Sequence, residues 1–176
     1  MIRQNAICGA CLALMLLTCP LSAQSPTGTG DASSPQRGWI SLGVGAGGGR
    51  TIAGELSGWY SVGAFVGGVQ WLEGSTFSSD AMHRQVAVLA GLRTRGTRFF
   101  TAGALGLASA EFAPDTHGIY TRQRFPSAKA ALAFSAQTIA NVPVAGLSLG
   151  SSGALGARDV SYAAVTLAVC VGWFGA

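Results

Sequence analysis

Charge is scarce in this chain. Asp, Glu, Lys and Arg make up 10% of its 176 residues, where an ordinary soluble domain carries about 25%. Disordered chains are polar and highly charged, so disorder of the whole chain is excluded. Cysteine occurs at Cys8, Cys11, Cys19 and Cys170, histidine twice, and no Cys/His spacing suits zinc. The net charge of +4 is small and scattered, which argues against a nucleic-acid partner. No metal or cofactor is expected. Glycine is abundant, at 26 positions, but it does not recur at every third residue, so collagen is excluded. The length fits one domain. Low charge, high glycine, 49% hydrophobic residues and a mean hydropathy of +0.41 point to a membrane as the solvent.

The first 23 residues read as a cleaved signal peptide. Arg3 gives a basic start, Ile7 to Leu17 is apolar or small, and Pro20 breaks any helix. Ser22 and Ala23 suit a cut after Ala23. Two other readings of the segment are a retained anchor, for which the apolar core is too short, and a lipoprotein cut before Cys19. Cleavage removes Arg3 and every cysteine except Cys170, so no internal disulfide is expected. Residues 24–37 are rich in Ser, Thr, Pro and Gly and read as a flexible leader.

From Gly38 to Ala176 the period is two, and a strand puts successive side chains on opposite faces. Ile40, Leu42, Val44 and Ala46 oppose Ser41, Gly43, Gly45 and Gly47. The pattern returns over Thr51–Ser61, Ala64–Leu72, His83–Arg95, Ala128–Ile139, Val144–Ser152 and Ser161–Phe174. Phe99–Phe112 is also strand-like, but Leu105 and Leu107 share a phase with Thr101, Ser109 and Glu111, so its orientation stays open. Most of these segments have the length of transmembrane strands, about 9–11 residues, where soluble strands cluster near 5–6. The opposite face is Gly, Ser and Ala, not the Lys and Glu of a water-facing sheet. The apolar face therefore meets lipid and the small face packs a narrow interior. An open edge in hydrocarbon leaves backbone groups unpaired, so the sheet must close. The expected fold is all-β, an eight-stranded antiparallel up-and-down transmembrane β-barrel.

Connections after the second, fourth and sixth strands are short, and those after the third, fifth and seventh are longer, the outer-membrane pattern. Aromatics gather near strand ends. Tyr60, Phe65, Phe100 and Trp173 are expected at the periplasmic rim, and Trp71 and Phe112 at the outer rim, as headgroup-level girdles. Glu55, Arg93 and Lys129 share the polar phase near mid-strand. They are expected to point inward as a charge network in which Glu55 pairs with Arg93 or Lys129 and helps fill the lumen. A helical alternative for Val160 to Ala176, a stretch without charge, is countered by the glycines and the period of two.

With these features the chain resembles the small eight-stranded outer-membrane β-barrel proteins of Gram-negative bacteria, of the general OmpA/OmpX-like architecture. The resemblance is one of pattern over Gly38 to Phe174. Tyr162 to Phe174 looks like the aromatic-ended strand read by the barrel assembly machinery, with Gly175 and Ala176 added after it. The resemblance implies an outer-membrane location, contact with outer-membrane lipid and the assembly machinery as a partner during biogenesis.

Little in the chain suggests chemistry. Gly43-x-Gly45-x-x-Gly48 spells the dinucleotide fingerprint, but Arg50 onward alternates as a strand and no helix follows to face a pyrophosphate. Two function classes remain. One is a structural or surface-interaction barrel with a lumen plugged by side chains. The other, implied by the resemblance, is an outer-leaflet lipid-modifying enzyme of lipid A acyltransferase or deacylase type. Its candidate groups are Ser78, Ser79, His83 and His117 in the loops, near Asp80 and Asp115.

Overall fold

The computed structural model describes residues 36–48, 50–76, 82–94, 96, 99–113, 128–142, 144–156 and 161–173. The segments assigned to a signal peptide and most of the leader lie outside these, as do Ser78, Ser79 and His117. Eight strands follow in chain order: β1 (Gln36–Gly47), β2 (Thr51–Val62), β3 (Phe65–Thr76), β4 (Met82–Arg93), β5 (Phe99–Ala113), β6 (Lys129–Val142), β7 (Ala145–Leu155) and β8 (Tyr162–Trp173). Each pairs antiparallel with its sequence neighbours, and β8 pairs with β1 to close the barrel. Closure satisfies both edges, which the apolar exterior requires. β1 takes in Gln36 and Arg37, two residues that composition alone assigned to the leader.

The period of two becomes a division between lipid face and lumen. Leu42, Val44, Val88, Leu107, Leu149 and Leu167 are exposed on the outside, while Ser41, Ser57, Gln70, Gln85, Ser135 and Thr166 are buried inside. β5, ambiguous by sequence, is oriented by its neighbours. Val88 pairs with Leu107 and Leu107 with Leu132, all outward, so Thr101 and Ser109 share the lipid side while Ala104 and Ala108 turn inward. The helical alternative for the C-terminal segment is overturned, because Tyr162–Trp173 is a strand.

One end of the barrel carries short connections. Val62 and Phe65 are joined through Gly63, whose φ of 59° needs the left-handed region that glycine enters without penalty. The other end carries the short β1–β2 turn and the longest connections, after β5 and β7; the two are the turn end and the loop end. At the closing seam Gly38 faces Trp173, whose indole occupies the space that a Cβ on residue 38 would take.

Candidate functional site

The lumen of an eight-stranded barrel is just wide enough for side chains to fill, so the inward residues form the site. They fall into three layers.

The middle layer is built on Glu55. Gln70 Nε2 and Ser57 Oγ donate to its Oε1 at 3.0 and 3.2 Å. Thr166 Oγ1 and Ser152 Oγ donate to its Oε2 at 2.6 and 3.4 Å. Trp59 Nε1 in turn donates to Ser57 Oγ at 2.9 Å. Four neutral side chains from β2, β3, β7 and β8 thus hold the carboxylate. The expected pairing of Glu55 with Arg93 or Lys129 is replaced by this arrangement. Along the ladders Glu55 lies opposite Leu72, and Leu72 opposite Gln85. Arg93 is much further along β4, roughly 26 Å of strand at about 3.3 Å per residue. Lys129 keeps the inward phase but is the first residue of β6 and is exposed at the loop end. The phase was legible in the sequence, whereas the height of each residue in the barrel depends on register.

Toward the turn end lies an aromatic layer. Trp39 stacks on Trp59 with centroids 6.2 Å apart, and Phe100 meets Trp39 edge-on at 5.3 Å. Arg37 and Arg93 sit over Phe100, at 5.3 and 5.8 Å from its centroid. Phe100 is therefore a lumen residue and not part of the rim girdle expected for it. Its neighbour Phe99 faces outward instead. The inward Trp39 and Trp59 were not singled out from sequence, although Trp39 shares the phase of Ser41, and Trp59 that of Ser57.

At the loop end three rings meet. The His83 ring stacks on Tyr162 at 4.8 Å and lies 4.5 Å from Phe112. Tyr162 Oη and Thr51 Oγ1 are hydrogen-bonded at 2.9 Å. A side chain on Gly47 or Gly74 would collide with the Tyr162 ring, so both glycines make room for it. Phe112, expected at the outer girdle, belongs to this inward cluster. His83, a candidate catalytic base, is packed against aromatic rings, and no serine hydroxyl among the described residues bonds to it.

Outside, Tyr60, Phe65, Phe99 and Trp173 are exposed near the turn end. Tyr60 Oη donates to Gln36 Oε1 at 2.8 Å. Trp71 is exposed toward the loop end, with the Arg84 guanidinium 6.0 Å from its ring. Arg84 Nε bonds Glu73 Oε2 at 3.1 Å, directly across the β3–β4 ladder. This half-exposed pair marks the upper edge of the apolar band.

A closed sheet with an apolar exterior and small, polar and aromatic side chains turned inward defines a transmembrane-type β-barrel. Its fold is that of the small eight-stranded outer-membrane barrels. Neisserial surface protein A matches at a TM-score of 0.60 and 12% identity, over 80% of this chain and 99% of that one. A de novo designed transmembrane β-barrel matches at 0.54 and 13%, over 78% and 96%. No family model and no curated protein sequence matches the chain.

Proposed function

We propose that this chain is a small outer-membrane β-barrel of a Gram-negative bacterium, exported by a cleaved signal peptide, with a structural or surface-interaction role and a lumen plugged by side chains. The observation that carries this reading is the lumen itself. Trp39, Trp59 and Phe100 fill its turn-end half, Glu55 and its four donors tie its middle, and Tyr162, His83 and Phe112 cover its loop end. In this reading the turn end faces the periplasm, outer-membrane lipid surrounds the apolar band, and the barrel assembly machinery inserts the chain. The second reading, a lipid-modifying enzyme, needs Ser78 or Ser79 beside His83 or His117. The aromatic packing of His83 speaks against it as the base.

The test is fractionation combined with planar-bilayer recording. The expected protein is in the outer-membrane fraction, runs faster on gels when unboiled, and shows no steady conductance. A mature chain in the soluble fraction, or a persistent open pore, would overturn the proposal. Hydrolysis of lipid A that is lost in Ser78→Ala and Ser79→Ala would favour the enzyme.

A further inference from the structure

Glu55 carries a negative charge into the middle of the lumen, where it is 7% exposed. Its partners are the neutral side chains of Gln70, Ser57, Thr166 and Ser152. No Lys, Arg or His among the described residues contacts it. Neutral donors spread the charge of a carboxylate but leave it in place, and a net charge held out of water is costly unless a positive one joins it.

A second observation points to the same spot. The Gln70 amide that donates to Glu55 also carries an oxygen, Oε1, for which no donor is present, although Gln70 is only 1% exposed. A buried acceptor left unpaired loses its hydration without return. Here it belongs to the very amide group that touches the carboxylate, so one positive centre between them answers both defects. Further oxygens are close by. Ser152 and Thr166 each give their one hydroxyl proton to Glu55 and keep lone pairs free for another partner. Ser57 is less open, because its Oγ also accepts from Trp59.

Carboxylate, carbonyl and hydroxyl oxygens from β2, β3, β7 and β8 form the donor set of a hard cation. One carboxylate balances a single positive charge, whereas a divalent ion would leave an excess positive charge buried. We propose that this cluster holds a monovalent alkali cation between the Glu55 carboxylate and Gln70 Oε1, with the Ser152 and Thr166 hydroxyl oxygens as further ligands. Aromatic layers lie on both sides of it, Trp39, Trp59 and Phe100 toward the turn end and His83, Phe112 and Tyr162 at the loop end. The ion is therefore a resident one, taken up as the barrel closes.

The test refolds the full chain into phosphatidylcholine vesicles in sodium chloride or in N-methylglucamine chloride at matched ionic strength, followed by urea unfolding in the same salt. The organic cation is too large for the cluster. Sodium should raise the urea midpoint, and at fixed urea the unfolding constant should fall by up to about tenfold for each tenfold rise in sodium. Glu55→Gln keeps the size of the side chain and removes the charge, and Gln70→Met removes the carbonyl. Glu55→Gln should not distinguish the two salts, Gln70→Met should respond more weakly than the wild type, and Arg84→Gln, outside the lumen, should respond as the wild type does. Gel mobility before and after boiling shows which variants are folded. Equal wild-type stability in the two salts, or an undiminished sodium response in folded Glu55→Gln, overturns the proposal, the carboxyl then being satisfied by its four donors or by a proton. If neither lumen variant folds, the wild type is refolded in radioactive sodium and desalted into N-methylglucamine chloride. Sodium retained in equimolar amount with the folded chain supports the site, and none retained overturns it.

Discussion

Thr166 Oγ1 donates to Glu55 Oε2 at 2.6 Å, although their strands are not neighbours. β1 lies between β8 and β2, and it contributes glycine where side chains would intervene. Gly43 lies opposite Glu55, and Gly45 opposite Thr166. A Cβ on Gly45 would collide with the Val165 carbonyl, and one on Gly43 would press on Ala168. Two of the three glycines that spell a dinucleotide fingerprint, Gly43 and Gly45, therefore serve to bring β2 and β8 side chains together across the lumen.

Removing that acceptor should destabilise the barrel. Glu55→Ala leaves buried donors on four side chains, and the expected loss is about 3 kcal/mol. Urea unfolding in lipid vesicles measures it. Gly45→Ala should also destabilise, by about 1–3 kcal/mol, through overpacking. A double-mutant cycle between Glu55→Ala and Arg93→Gln should be additive within about 0.5 kcal/mol, because the two side chains do not meet. A larger coupling would restore the ion pair expected from sequence.

The loop-end cluster gives a graded prediction. Tyr162→Phe keeps the ring and loses the Thr51 bond, at an expected cost of about 1 kcal/mol. Gly74→Val places atoms where the Tyr162 ring lies and should cost more. Near-UV circular dichroism should change little for the first variant and strongly for the second.

The lipid face is testable at Leu107, which is exposed at the middle of β5. Leu107→Arg should cost about 2–4 kcal/mol in a bilayer, as charges do at mid-depth on barrel exteriors. Loss of stability smaller than about 1 kcal/mol would contradict a lipid-facing position for this residue.

Cys170 is buried and hydrogen-bonded to Ser41, with Sγ and Oγ 3.2 Å apart. A maleimide should label the folded barrel far more slowly than the urea-unfolded chain. Mass spectrometry of timed samples reads the rates, and equal rates would mean that this lumen residue is open to solvent.

How much of this was legible depended on how far an inference had to reach. The inward phase of Glu55, Arg93 and Lys129 followed from alternation with their immediate neighbours. Their partners did not, because pairing depends on height, and height depends on ladder register across several strands. Phe99 and Phe100 illustrate the same limit within one dipeptide. An aromatic pair at a strand end marks a rim, but Leu105 and Leu107 shared their phase with polar residues, so alternation could not say which ring faced lipid. Pairing with Val88 and Leu132 decided it.

The sequence alone determined that this chain folds as strands with an apolar exterior. Oily side chains at every second position, with scarce charge and small residues between them, leave a closed sheet as the solution in which every backbone group is paired. The tertiary structure decided what fills the cylinder. Closure brings together residues as distant as Glu55 and Thr166, and only the register of the ladders and the space left by Gly43 and Gly45 determine which inward side chains meet.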